Sequence, residues 1–218
     1  MFNIDIDDPI IKKLVVEVPQ GESLFKQGDR GNTLFILAGG TVALYQKTLE
    51  RVRLVDFIGP GEILGEKALF QVDTYNRSLT AKARTEVLAI EFTAASLKGL
   101  INKLPNFSNQ VLRLVTERLD RTNRLVGILQ LRHDHEKIVQ YLIHFSKTFG
   151  TRVQKGTEIL LSQSELSDVL NMEKGTVENA LQPLIDKKLI LQNGDKLILS
   201  DERDLVSFLP HLAELIAA

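Results

Sequence analysis

Two short stretches of the chain carry residue types that can hold an anion. Gly65-Glu66-Lys67-Ala68-Leu69 begins with a glycine, which lets a charged group come close to the backbone N–H groups at the start of a short turn. Arg77-Ser78 follows, and arginine offers a fixed fork of donors suited to phosphate or carboxylate oxygens, beside which Ser78 places a neutral hydroxyl. Glu66 cannot serve the same anion, being one itself, but its carboxylate is a good acceptor for a sugar hydroxyl. This is the chemistry of recognition. The chain has no cysteine, which excludes disulfides, thiolate-held zinc, iron–sulfur clusters and cysteine nucleophiles. It also shows no Walker loop, no metal-spaced His/Asp cluster and no nucleophile constellation, so neither an enzyme nor a metal protein is expected.

The elements that would position these residues fall into three zones. Residues 14 to 92 read as β structure: Leu34–Leu37, Val42–Tyr45, Val52–Phe57 and Val87–Phe92 are rich in β-branched and aromatic residues, and glycines punctuate them. Many short strands with glycine turns suggest a small barrel or roll. From Pro105 to Leu131 a long helix is expected, in which Leu112, Val115, Leu119, Thr122, Val126 and Leu129 are spaced 3, 4, 3, 4, 3. That is an a/d seam, the pattern of a dimeric coiled coil, with Thr122 as a polar interruption. From His133 the pattern becomes helix, strand, helix, helix, hairpin. Ser162 and Glu165 have the spacing of a capping box, Asn171 stands where a left-handed turn residue belongs, and a second helix starts near Glu173. Asn193-Gly194 then reads as a type I′ hairpin turn. Helix, tight turn, helix and hairpin make up the winged helix-turn-helix plan.

At 218 residues, with 44% hydrophobic and 25% charged content, two globular domains are expected. The start MFNIDIDDPI has neither a basic nor an apolar leader region, and no apolar run reaches the roughly 20 residues of a membrane span. A cytoplasmic protein without membrane contact is therefore expected. His133 and His135 are two apart, so on one helix they would not share a face, and they are read as a hinge.

In order and in motif the chain resembles the cyclic-AMP receptor/FNR (Crp/Fnr) family. The resemblance rests on Gly61-Glu62-Ile63-Leu64-Gly65-Glu66-Lys67-Ala68-Leu69-Phe70 followed by Asn76-Arg77-Ser78-Leu79-Thr80-Ala81, similar to that family's phosphate-binding cassette, and on Gly28, Gly40 and Gly61. It implies an α+β protein: a double-stranded β-helix (a jelly roll of the cyclic-nucleotide-binding kind) over 1–104, a dimerisation helix over 105–132, and a winged helix-turn-helix domain with a helical tail over 133–218. It also implies a cyclic nucleotide as effector, cyclic AMP first, with Glu66 on the ribose and Arg77 and Ser78 on the phosphate. Gly65, Lys67 and Ala68 complete the cassette, and Thr122 and Asn123 fall where the cyclic-AMP receptor contacts adenine. Lys67 stands where an apolar residue is common, and Leu79 where a small one is. A 2-oxoglutarate sensor is the alternative, since Arg77 can hold a carboxylate, although Glu66 would repel a dianion.

For DNA, the resemblance places Ser164, Lys174, Gly175, Thr176, Glu178 and Asn179 on the groove-facing surface. Ser164 and Thr176 suit phosphates, and Lys174 and Asn179 suit base edges. The expected partners are a palindromic operator, a second copy of the chain through residues 107–131, and RNA polymerase or a related regulator. Against this stands the charge. From His133 onward nine Lys and Arg face thirteen Asp and Glu, and the whole chain has a formal net charge of −1. DNA binders draw affinity from basic surfaces. An interaction protein, or a weak DNA-binding subunit acting with a partner regulator, is therefore the competing expectation.

Overall fold

The computed structural model describes residues 9–69, 75–103 and 105–217; Phe70 of the cassette motif lies outside them. The chain forms two compact units, Met1–Thr122 and Asn123–Ala218.

The first unit starts with a single helical turn, α1 (Pro9–Lys12), and continues as short strands. These are β1 (Val15–Val18), β2 (Ser23–Phe25), β3 (Arg30–Gly31), β4 (Thr33–Gly39), β5 (Val42–Lys47), β6 (Val52–Ile58), β7 (Ile63–Leu64), β8 (Tyr75–Asn76), β9 (Thr80–Ala83) and β10 (Val87–Thr93). They make two four-stranded antiparallel sheets, in the orders β1-β10-β4-β7 and β2-β9-β5-β6, with β3 and β8 paired separately. This is the expected roll. Its layering follows from the two-residue period of a strand. On β4, Phe35 and Leu37 face the space between the sheets, where they meet Leu44, Leu64, Ala81 and Ala89. Leu34 and Ile36 face the other way, onto Phe107, Val111 and Leu114. β10 repeats the split, with Val87 and Ala89 inside the roll and Ile90 and Phe92 on its outer face. Both central strands are apolar on both faces, hence their near-continuous hydrophobic runs.

Two helices follow, α2 (Ala94–Lys103) and α3 (Pro105–Leu129). Proline is at home in the first turn of α3, where its missing N–H would have had no partner. Phe107, Val111 and Leu114 give α3 one buried stripe. Of the predicted seam, Val115 packs against that same cluster, whereas Leu112, Leu119 and Val126 lie elsewhere on the helix surface and are 65%, 57% and 46% exposed in the single chain.

The second unit contains α4 (Asp134–Phe149), β11 (Thr151–Val153), β12 (Gly156–Leu160), α5 (Gln163–Leu170), α6 (Lys174–Asp186), β13 (Ile190–Asn193), β14 (Lys196–Leu199) and α7 (Glu202–Ala217). The sheet order is β11-β12-β14-β13. β11 is not in the sequence expectation, because its three residues are all exposed and carry no apolar alternation. The hairpin forms, but its turn differs. Asn193 pairs with Lys196, so Gly194 and Asp195 are the central residues. Only Gly194 of these has positive φ (+60°), the pattern of a type II′ turn rather than the expected type I′. The rings of His133 and His135 stack with centroids 5.5 Å apart. His133 is the extended residue before α4, so helical spacing does not govern the pair. Among the described residues no helix is long and apolar enough to cross a membrane.

Candidate functional site

The cassette residues converge within the roll. Gly65, Glu66, Lys67, Arg77, Ser78 and Leu79 line one narrow cavity of about 40 Å³, together with Phe25, Leu44, Leu64 and Arg118. Glu66 begins a single 3₁₀ turn, Glu66–Leu69, so backbone N–H groups are clustered directly after Gly65. Ala68 belongs to that turn by its backbone; its side chain lies outside the described residues.

Arg77 is the centre of the site, 5% exposed. Its Nη2 donates to the Thr33 carbonyl at 2.8 Å and to Thr33 Oγ1 at 3.1 Å. Its guanidinium carbon sits 4.2 Å from the centroid of the Phe25 ring, a cation–π contact. Two glycines make room for it. A Cβ on Gly31 would stand 2.4 Å from Arg77 Nε, and one on Gly65 would stand 2.4 Å from Arg77 Nη1 and 2.8 Å from the Thr33 carbonyl oxygen. Gly65 also has φ +76°, a conformation that side chains other than glycine's seldom adopt. The fork is thus packed between two backbone segments and an aromatic face, and Ser78 stands exposed beside it.

Glu66 does not pair with Arg77. Its Oε2 accepts from Arg118 Nη1 at 2.8 Å, and the same nitrogen donates to the Ile63 carbonyl at 2.7 Å. Three residues on along α3, Arg121 is 8% exposed. Arg121 Nη2 lies 2.8 Å from Asp56 Oδ2, its Nε lies 3.1 Å from Glu62 Oε1, and it also donates to the Phe57 carbonyl. Burial pushes the carboxyl groups of Asp56 and Glu62 above the usual carboxylate range, and the Arg121 charge opposes that rise without cancelling it. Sequence reasoning missed Arg118, Arg121, Asp56 and Glu62 as a group. No motif joins them; the signal in the sequence is a run of arginines three apart, Arg118, Arg121 and Arg124, on a helix that otherwise reads as a seam.

Thr122 and Asn123 are exposed on α3. The Thr122 hydroxyl donates back to the Arg118 carbonyl at 3.0 Å, and Thr122 is not among the residues lining the cavity of the single chain.

In the second unit, Ser162 opens α5 with both halves of the capping box formed: Glu165 N donates to Ser162 Oγ, and Ser162 N donates to Glu165 Oε2 at 2.9 Å. Asn171 ends α5 with φ 53°, and the turn is closed by Met172 N on the Ser167 carbonyl and by Ser167 Oγ on the Met172 carbonyl, 2.6 Å. α6 leaves this turn with Val177, Ala180, Leu181 and Leu184 buried. Lys174, Gly175, Glu178 and Asn179 are exposed on its opening turns, Thr176 is half-buried there, and Ser164 is exposed on α5. The arrangement is that of a helix-turn-helix face, bearing Glu173 and Glu178 beside Lys174. In the wing, Lys196 is tied to Glu158 at 3.0 Å.

Known proteins share this organisation. The cyclic nucleotide-binding domain family matches residues 15–103. A CRP-like cAMP-activated global transcriptional regulator of Mycobacterium tuberculosis is 28% identical over 193 residues, covering 87% of this chain and 85% of its own length. The cyclic AMP receptor protein of Thermus thermophilus is 27% identical over 173 residues, covering 79% of this chain and 77% of its own. In fold, the chain is similar to a solved CRP-family transcriptional regulator from Thermus thermophilus, with TM-score 0.74 and 22% identity over 87% of this chain and 94% of that one. With a β-roll carrying an arginine cassette ahead of a winged helix-turn-helix, the chain is similar along most of its length to ligand-responsive transcription regulators of the Crp/Fnr kind.

Proposed function

We propose that this regulator senses a cyclic nucleotide, cyclic AMP before others, and binds a palindromic DNA operator as a homodimer. The observation that carries the ligand half is the cradle around Arg77, where Gly31 and Gly65 leave space for nothing larger than their own hydrogens. A phosphate oxygen would take the Arg77 fork, the Ser78 hydroxyl and the N–H groups of the turn after Gly65, and Glu66 would accept from the ribose. Lys67 and the Ala68 backbone flank that anion. In this arrangement the cavity is narrow, so nucleotide entry entails a shift of Arg77 away from Thr33. The fit to the donor set is good; a 2-oxoglutarate dianion would meet Glu66 at close range.

The remaining assignments extend this reading. Residues 1–104 would be the sensor, 105–132 the dimerisation helix and 133–218 the DNA-binding domain. Leu112, Leu119, Val126 and Leu129, exposed in the single chain, would be covered by a second copy along residues 107–131. Thr122 and Asn123 would then be polar positions of that seam, available to the adenine. On DNA, Ser164 and Thr176 would hold phosphates, and Lys174 and Asn179 would read bases beside Gly175 and Glu178. The protein would act in the cytoplasm, with RNA polymerase or a related regulator as a further partner.

Calorimetry with cyclic AMP, cyclic GMP and 2-oxoglutarate tests the sensor: cyclic AMP binds the parent and not Arg77→Ala. Equal binding by the two proteins would remove the cassette assignment. A second reading, that the wing domain engages a protein partner, is favoured by Glu173 and Glu178 on the exposed start of α6. Selection from random DNA at low salt, with and without cyclic AMP, separates the two readings: an enriched palindrome supports direct binding, and no retained sequence under either condition opposes it.

A further inference from the structure

The turn that leads into the cassette is tied to the long helix through the Arg121 side chain. Gly59-Pro60-Gly61-Glu62 forms a type II turn: Pro60 stands at the second position, Gly61 has φ +83°, and Glu62 N donates to the Gly59 carbonyl. It is sewn to β4, with Leu37 N on the Glu62 carbonyl at 2.9 Å and Gly61 N on the Leu37 carbonyl at 2.7 Å. The Glu62 carboxylate closes the turn from within, since its Oε2 accepts from Gly59 N at 2.6 Å. Its other oxygen belongs to Arg121, 3.1 Å away. Arg121 also holds Asp56 and the Phe57 carbonyl, at the end of the strand that enters the turn. One guanidinium on α3 therefore grips the chain on both sides of the turn, three residues before Gly65.

We propose that Arg121 is a positioning residue of the nucleotide cassette: it clamps the turn 59–62 onto α3 and so fixes where Gly65 and Glu66 begin. Three features support a clamp over a merely buried ion pair. Arg121 spans three separate acceptors in a planar arrangement that a lysine cannot copy. The cluster contains one cation against two carboxylates, and its other charged neighbour is Arg118, which itself bonds Ile63 and Glu66 on the far side of the turn. Together Arg118 and Arg121 hold Asp56, Phe57, Glu62, Ile63 and Glu66, so the segment has no route to move without α3.

Amide hydrogen exchange on the full-length free protein tests the clamp without any ligand. In Arg121→Gln the amides of Leu37, Gly59 and Gly61 exchange at least about tenfold faster, while those of β5 and β9 stay within about twofold of the parent. Arg121→Lys recovers part of the protection. Uniform acceleration across the roll, or unchanged exchange at those three amides, would overturn the proposal. Glu62→Gln guards against an Arg121 variant that does not fold. The side-chain amide introduced by that substitution can still accept from Arg121 but presents an NH₂ to Gly59, so Gly59 alone loses protection. Loss of protection at Leu37 as well would count against the assignment. The link to nucleotide binding rests on the proposed function and is read separately: Arg121→Gln weakens cyclic AMP binding by at least about tenfold. If the parent binds no cyclic nucleotide, that reading fails and the exchange pattern still decides the clamp.

Discussion

Arg118 and Glu66, 52 positions apart in sequence, meet at 2.8 Å on the wall of the cavity that holds Arg77. The carboxylate expected to receive a ribose hydroxyl is thus already oriented by a cation from α3, and a sugar hydroxyl would join an occupied acceptor rather than a vacant one. Glu66→Gln keeps the shape and removes the charge. It is expected to weaken cyclic AMP binding about tenfold, roughly 1.4 kcal/mol, with little change in melting temperature. Calorimetry paired with a thermal melt checks both halves, and undiminished affinity would deny Glu66 its role.

Gly65→Ala is a sharper test of the cradle. The new methyl meets the Thr33 carbonyl oxygen at 2.8 Å and Arg77 Nη1 at 2.4 Å, at a φ of +76°. The flexible arginine can retreat, but the carbonyl cannot, so we expect destabilisation of about 1–2 kcal/mol. Displacing the fork should also reduce nucleotide affinity by at least about tenfold. Urea unfolding and calorimetry measure the two effects, and a variant that binds as the parent does would contradict the packing argument.

The seam makes a prediction about mass. Leu119 and Val126 are exposed in the single chain and lie seven residues apart. Leu119→Glu with Val126→Glu would place like charges across a two-fold interface and is expected to yield monomers in sedimentation equilibrium. A dimer that survives both substitutions would mean that another surface holds the copies together.

What could be read from the sequence was whatever local rules govern. Near-continuous apolar runs marked β4 and β10, Ser162 with Glu165 marked the start of α5, and Asn171 marked its end. Gly65, Glu66, Arg77 and Ser78 were legible because a motif fixes their spacing. The partners of Arg118 and Arg121 were not, since an ion pair between residues more than fifty apart leaves no periodicity. The hairpin at Gly194 was legible as a turn, but its register depends on the β12 pairing across the sheet. The place of His133 at the head of α4 was not legible, because its side chain makes no capping bond.

His135 predicts a pH dependence. Burial first, and the neighbouring His133 second, hold it below its ordinary value of 6.5, against the opposing pull of Glu136 and Asp134. The folded state therefore favours neutral imidazole. Its contribution is complete above the unfolded value and is lost as pH falls through 6.5 toward the depressed folded value. Unfolding of the second unit followed from about pH 7.5 to about pH 5.5 should show a loss of stability that His135→Gln flattens. Parallel curves for the two proteins would exclude His135 as the source.

Gly175 sits in the first turn of α6 with nothing within 4 Å of where a Cβ would stand. Gly175→Ala should stabilise the protein by about 0.5–1 kcal/mol, because helix propensity changes and no contact does. Urea unfolding tests this, and a destabilised variant would show that the glycine has a constraint of its own.

α5 is closed at both ends by its own residues: the Ser162–Glu165 box at one, Asn171 and the Ser167–Met172 bonds at the other. None of these groups belongs to the exposed surface of α6. The direction in which α6 sets out is therefore specified upstream of the residues that would read a sequence. Lys174, Glu178 and Asn179 can be exchanged wholesale while the mounting stays true. If α6 reads DNA as proposed, the domain is a natural chassis for rewired target preference, with the acidic start of α6 as its replaceable part.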